Sequence, residues 1–334
     1  MRVRVAYLLA STELSGGAKV VFVQAEALAR RGHRVAIVSP EARPDWFTLV
    51  KTHFERSAFA DSRELAQADV RVATFWTTVA PSLEGASGPV FHLCQGYEGD
   101  FSFYASSRPA IEEAYRAPTV KLTVSRTLAR RLEEKRFGPA VNVGQAFEID
   151  GFEPGPQRPS NDPPWVLVVG PYEADVKGVP VALAGLALWR RRGGRLRVRR
   201  VSPLPAGDEE KAWGIVDEYH HHVGPERMPL AYRASDVFVG PSRPEEGFGL
   251  PALEALACGL PCLLSDTPGH REFAGEAAWY FPDGDPNAIA DRLPQLTSDA
   301  ARERARREGP AAASLFAPSL VAERLEAAFR ASAG

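Results

Sequence analysis

Glu245-Glu246-Gly247-Phe248-Gly249-Leu250-Pro251-Ala252-Leu253-Glu254-Ala255-Leu256-Ala257-Cys258-Gly259-Leu260-Pro261-Cys262 is the stretch from which the fold can be read. Two carboxylates, Glu246 and Glu254, stand with seven residues between them on either side of a glycine-rich turn. Proline suits the first helical position, where its missing N–H would be unpaired anyway, so Pro251–Cys258 is predicted to be a helix. Backbone N–H groups from Phe248 to Leu250 then face outward at the positive end of the helix dipole, which favours an anion. Each piece also has a plain reading: Glu254 suits a helix start on dipole grounds, and Glu246 could be a solvated loop charge.

Upstream lies Pro241-Ser242-Arg243-Pro244, and before it a strand, Val237–Val239, and a short helix, Met228–Ala234. Trp165–Val169 (strand), Val179–Arg191 (helix), Leu196–Val201 (strand) and Cys262–Ser265 (strand) complete an alternating series. The first half of the chain repeats the pattern: Val3–Leu9 strand, Ala18–Arg31 helix closed by Gly32, His33–Val38 strand. Val70–Thr74, Val90–Leu93 and Val120–Val124 are further strands, the last leading into a helix Arg126–Lys135 capped by Ser125. Alternation of this kind predicts α/β architecture with parallel, doubly wound sheets. Between the halves, Pro, Gly and Asp crowd residues 151–164, as in a linker.

Length and composition bound the rest. At 334 residues there is room for two cores. Hydrophobic content of 45%, charged content of 25% and a net charge of −2 describe an ordinary globular protein with no argument for a nucleic-acid partner. No apolar run reaches membrane-span length, and Met1–Ala10 continues into a charged helix, so a buried strand fits it better than a signal peptide. Cys94, Cys258 and Cys262 lack metal-like spacing and read as reduced core residues of a cytoplasmic protein. Of 40 basic residues only six are lysine, which draws attention to Lys177 in Gly170-Pro171-Tyr172-Glu173-Ala174-Asp175-Val176-Lys177-Gly178.

The string from Glu246 to Glu254, enclosing Gly247-Phe248-Gly249-Leu250, resembles the donor-site signature of retaining glycosyltransferases of the family-4 type. The likeness is strongest from Asp236 to Glu272 and weakest from Pro40 to Arg116. It implies the GT-B fold, two Rossmann-like domains facing across a cleft: residues 1–150 on the acceptor side, a 151–164 linker, 165–315 on the donor side, and a 316–334 helix returning to the first domain. It implies transfer of a sugar, as in a hexosyltransferase, from a UDP, GDP or dTDP sugar to a glycan or lipid-linked acceptor, with retention and without a metal or other cofactor. Polysaccharide biosynthesis is the matching setting. Glu246 would bind the transferred sugar and, with Lys177, be catalytic. Gly247, Phe248, Gly249, Leu250 and Glu254 would hold the nucleotide diphosphate, Glu254 at the ribose. Gly16 and Gly17, in Ser15-Gly16-Gly17-Ala18, look like the family's Gly-Gly loop at the donor. Pro171 departs from the pattern, because the family has Arg there; Arg243 could supply the missing cation.

Gln95-Gly96-Tyr97-Glu98 resembles the variant of bacterial rhamnosyltransferase-like members, which makes Gln95 and Glu98 acceptor candidates, with Trp76 as a stacking surface or a core residue. His92 reads as a satisfied core histidine. His220-His221-His222 cannot converge on one ion from a strand and reads as surface filler. The basic residues Arg126, Arg130, Arg131, Lys135 and Arg136 form either a solvated face or a peripheral contact with the inner face of a membrane. Two other functions stay open at this point. One is a non-catalytic GT-B-like binding subunit. The other is a dinucleotide-dependent oxidoreductase using Glu41 at the ribose, although Ser15-Gly16-Gly17-Ala18-Lys19-Val20 does not fit Gly-x-Gly-x-x-Gly.

Overall fold

The computed structural model describes residues 2–332. Met1, Ala333 and Gly334, which fall inside the expected domain limits, lie outside the described residues. The chain divides into two compact units. One runs up to Glu148 and resumes at Phe316; the other is Ile149–Leu315.

The first unit carries a seven-stranded sheet: β1 (Arg4–Leu8), β2 (Arg34–Ser39), β3 (His53–Arg56), β4 (Val70–Ala73), β5 (Val90–Cys94), β6 (Val120–Thr123) and β7 (Ala140–Asn142). Their order is β3-β2-β1-β4-β5-β6-β7, and every pairing is parallel. Parallel strands are covered on both faces, which is why β1 and β2 read as near-continuous apolar runs rather than alternating ones. The second unit holds β8 (Trp165–Val169), β9 (Arg197–Ser202), β10 (Glu218–His221), β11 (Val237–Gly240), β12 (Cys262–Ser265) and β13 (Trp279–Phe281). They run in the order β10-β9-β8-β11-β12-β13, again all parallel. In both sheets the winding reverses beside the first strand, between β1 and β4 and between β8 and β11. Ligands of such sheets bind outside the carboxyl ends of the strands at that reversal.

Residues 316 onward belong to the first unit because the helix Pro318–Ser332 buries Val321, Ala322, Leu325, Ala328 and Phe329 in its core beside Tyr7, Val21 and Phe91. Phe329 lies 5.0 Å from the Phe91 ring, and Glu326 receives Arg31 Nε at 2.6 Å. Residues 151–164 are fastened to the second unit by arginines. Arg233 donates to the Gly151 and Glu153 carbonyls at 2.6 and 2.8 Å, and Arg306 to Gly155 O at 2.8 Å. Arg158 meets Asp236 at 2.9 Å and Arg302 meets Ser160 Oγ at 2.7 Å. A Pro- and Gly-rich stretch makes few ladder bonds of its own, so side-chain donors satisfy its carbonyls. Among the described residues no helix is long and apolar enough to cross a membrane.

Arg200 is the largest fully buried side chain. Its guanidinium pairs with Glu210 at 2.6 Å and donates to Val168 O and Gly170 O at 2.8 and 2.7 Å. It thereby fixes the chain where it leaves β8. Removing one member of a buried ion pair leaves an uncompensated charge, so Glu210→Ala is expected to destabilise the second unit by about 3–5 kcal/mol, read from denaturant titration. Replacement without loss would show the pair to be dispensable.

Candidate functional site

At the β8/β11 reversal, two loops lie side by side. The loop after β8 ends in a short turn, Asp175–Lys177, and the loop after β11 carries Ser242 to Glu246. Arg243 N donates to Val176 O at 2.9 Å, zipping the two together. Gly178, at φ +60°, allows this approach: a Cβ there would come within 2.1 Å of Pro241 O. The result is a direct ion pair between Lys177 Nζ and Glu246 Oε1. Both side chains are mostly buried, and Glu246 Oε2 is buried with no hydrogen-bond partner. Buried polar atoms are nearly always satisfied, so a bare carboxylate oxygen here marks a place for a donor from outside the chain.

The turn that follows differs in detail from its expected form. The helix is Leu250–Ala257, with Gly249 as its N-cap at φ +93° and Pro251 in its second position. Ala252 N already donates to Gly249 O at 3.0 Å. Proline has no N–H, so the free donors narrow to buried Gly249 and half-buried Leu250, whose N–H groups have no acceptor among the described residues. Gly247 and Phe248 are buried, and Phe248 stacks on Phe273 at 4.6 Å. Glu254 is 5% exposed and accepts from Tyr232 Oη at 2.8 Å. Burial, then the carboxylate beside it, raises the Tyr232 phenol well above its usual range, so it remains a donor. Tyr232 was not anticipated from sequence; nothing but its position in a short helix could have marked it. Arg243 is exposed, anchored by its backbone next to the Lys177 turn.

At the β1/β4 reversal of the first unit, Ser15 caps the helix Gly16–Arg30, its Oγ accepting from Ala18 N at 3.2 Å. Gly16 is exposed, and the carbonyl of Gly17 accepts from Gln95 Nε2 at 3.0 Å. The amide of Gln95 is therefore committed in part to holding this loop. Trp76 opens the helix Trp76–Leu83, half-buried beside Phe75, with its indole N–H unpartnered.

Several sequence readings need correction. Glu98 is not a surface hydroxyl binder: it is 8% exposed and its Oε2 lies 2.6 Å from Tyr115 Oη. Tyr115 Oη also reaches Gly96 O at 2.8 Å. One phenolic proton cannot serve both acceptors, so both contacts are met when Glu98 itself is protonated and donates to Tyr115. Burial pushes this carboxyl up to about 7, in agreement. His92 is fully buried but unsatisfied, both ring nitrogens lacking partners; burial and the neighbouring Lys121 lower it to about 3. Glu41 is no ribose ligand, because its Oε2 accepts from Thr12 N at 2.6 Å and from the Ser11 and Thr12 hydroxyls at 3.0 and 3.1 Å. The basic helix face is not wholly solvated: Arg131 meets Asp100 at 2.7 Å and Lys135 meets it at 3.4 Å. His220 and His221 lie exposed on the edge strand β10.

Residues 163–299 match the family model described as Glycosyl transferases group 1. Phosphatidyl-myo-inositol mannosyltransferase of Mycobacterium leprae is 30% identical over 210 residues, 59% of this chain and 55% of that protein. O-antigen chain mannosyltransferase B of Escherichia coli is 35% identical over 118 residues, 33% of this chain and 31% of its own length. The phosphatidyl-myo-inositol mannosyltransferase of Mycobacterium tuberculosis is 26% identical over an alignment covering 97% of this chain and 95% of that one. Among solved structures, HepE of Anabaena in complex with UDP-glucose superposes with a TM-score of 0.76 at 13% identity, covering 99% and 100% of the two chains. Sucrose-phosphate synthase from Thermosynechococcus elongatus gives 0.75 at 17%, covering 99% of each chain. These structural likenesses, over the whole chain, establish the fold as GT-B.

The protonated Glu98 has a measurable signature. A carboxyl raised in the folded state from 4.5 to about 7 adds stability below its unfolded value and loses it as pH rises through 7. Glu98→Gln copies the protonated form, donating from its amide without titrating. The variant should match the wild type near pH 4.5 and exceed it by about 1–3 kcal/mol at pH 8, in denaturation curves across that range. Parallel pH profiles would show that Glu98 stays ionised.

Proposed function

We propose that this chain, a glycosyltransferase of the GT-B fold, moves a hexosyl unit from a nucleoside-diphosphate sugar to a glycan or lipid-linked acceptor, with retention at the anomeric carbon. One observation carries the reading: Glu246 Oε2 is buried and unpartnered while Oε1 is held by Lys177, at the winding reversal of the second unit. A sugar hydroxyl would satisfy that oxygen. The Gly249 and Leu250 N–H groups, at a helix N-terminus, suit the diphosphate. Lys177 is the compact cation placed to take up charge on the departing phosphate, with Arg243 beside its loop as a second. Glu254, oriented by Tyr232, suits ribose hydroxyls. The matched mannosyltransferases favour a mannose-like hexose, and the UDP-glucose in HepE supports a nucleotide-sugar donor of that general class.

In this reading the acceptor oxygen attacks the anomeric carbon on the face from which the phosphate leaves. The C–O bond to phosphate breaks as the new C–O bond forms, and the departing phosphate oxygen takes the acceptor proton. No cofactor enters, and the cationic work falls to side chains and backbone N–H groups. Donor grip belongs chiefly to the second unit, with Gly16 and Gly17 of the first contributing to it, and Gln95 and Trp76 of the first are the acceptor candidates. A cytoplasmic setting in polysaccharide or glycolipid assembly, in contact with a membrane surface through the exposed Arg130 and Arg136, fits such acceptors.

Thermal denaturation with UDP, GDP and dTDP tests the donor grip, because a ligand held only by the native state raises the melting temperature. At least one should do so, and Lys177→Ala and Glu254→Ala should shrink the shift. Glu246→Gln should keep nucleotide binding but lower transfer by on the order of 10²-fold or more, since it removes an interaction at the reacting sugar. Transfer should survive EDTA. Loss of activity on chelation, or no shift with any nucleotide, would overturn the corresponding part.

A further inference from the structure

The Ser242–Glu246 strip runs directly into the turn that offers Gly249 and Leu250, and the short helix Pro268–Ala274 lies against both, Gly269 beside Glu246 O and His270 beside Gly249. Its N-cap is Thr267, whose Oγ1 accepts from His270 N at 3.3 Å. His270 and Phe273, three residues apart on this helix, share the face that meets the turn. Phe273 stacks on Phe248, and its ring lies 5.7 Å from the His270 ring in an edge arrangement. The His270 Nε2 atom lies 3.1 Å from where a Cβ on Gly249 would be. At 2% exposure the imidazole is packed on every side.

The hydrogen bonds fix which nitrogen carries the proton. Nδ1 lies 2.9 Å from Ser265 O, and a carbonyl can only accept. Nδ1 is therefore the N–H, shared with Ser265 Oγ at 3.1 Å, and Nε2 is the lone-pair nitrogen facing Gly249. The Ser265 hydroxyl in turn donates to Ser242 O. A continuous path thus runs from Ser242, one residue before Arg243, through Ser265 and the imidazole to the Gly249 turn. Burial keeps the ring neutral; the charged groups facing it are Glu246, Lys177 and Asp283.

We propose that His270 is a positioning residue: one neutral imidazole sets the spacing between the strip that carries Arg243 and Glu246 and the N-terminal turn that offers Gly249 and Leu250. It does so from both sides, by donating from Nδ1 to the end of β12 and by filling the space that glycine leaves at position 249. The proposal rests on the donor-site reading for its functional consequence. The mechanical part concerns the protein alone.

Asparagine places an N–H where Nδ1 stands, whereas glutamine reaches past it, so the two amides separate donation from bulk. Hydrogen exchange across residues 242–257 of the unliganded protein and affinity for UDP and GDP are measured in wild type, H270N, H270Q and H270A, each with its melting temperature. H270N should keep slow exchange and near-native affinity. H270Q and H270A should exchange faster there and bind on the order of tenfold or more weakly, with the donor KM rising more than kcat falls. Ser265→Ala, which keeps the carbonyl and the fold, should loosen residues 242–246 alone; it serves if H270A does not fold. Unchanged exchange in H270Q, or equal damage from H270N and H270A at equal stability, would overturn the proposal. Faster exchange with no nucleoside diphosphate bound by the wild type would leave His270 as the brace of the turn and remove the donor-site reading instead.

Discussion

Lys177 and Glu246 come from loops sixty-nine residues apart in sequence, and their ion pair is what makes one site of two loops. Everything near it serves that meeting. Arg200 and Glu210, wholly buried, hold the carbonyls of Val168 and Gly170 as the chain leaves β8. Gly178 lets the turn approach Pro241, and Arg243 N closes the zip on Val176. A partly buried pair alone is weak evidence of stability, since desolvation offsets much of its attraction. Its value here is geometric: the ammonium holds one carboxylate oxygen, joins the two loops, and leaves the other oxygen without a partner among the described residues.

The succession of strands and helices along the chain was legible because buried parallel strands announce themselves as apolar runs, and because glycine and proline punctuate the loops between them. β3, β7, β10 and β13 were not, and the reason is visible: His53–Arg56, Ala140–Asn142 and Glu218–His221 are edge strands with mixed polar sequences and little burial, and Trp279–Phe281 is an edge strand of three residues, too short to show a period. Their strand character comes from pairing with a neighbour already in place, which no local pattern records. The Pro251 helix start was read from its sequence to within one residue, yet the choice of donors at its tip depended on the Ala252 bond to Gly249, which no sequence pattern records.

Site residues followed the same division. Glu246 and Glu254 were singled out because the string that carries them is long and distinctive, and Lys177 because lysine is rare in this chain. Tyr232 and His270 support them from other elements and have no motif of their own. Glu98 was misread because a polar residue at the end of a strand gives no sign of whether it turns toward solvent or into the core; His92 lies in the core as read, but without the partners expected for its ring nitrogens. Here both turn inward around Tyr115, whose ring lies 4.7 Å from His92 and whose hydroxyl reaches Glu98. Their chemistry is that of buried neutral groups rather than of ligands.

The arginine fastening of residues 151–164 has a topological corollary. With that stretch bound to the second unit, the polypeptide passes between units only at Glu148–Ile149 and Leu315–Phe316. Phe147 N donates to Phe316 O at 3.0 Å, so the outgoing and returning strands of chain sit side by side. The second unit is thus a cassette spliced into a single joint of the first. Swapping that cassette between relatives, ends intact, exchanges one whole unit while the recipient scaffold keeps its own joint closed.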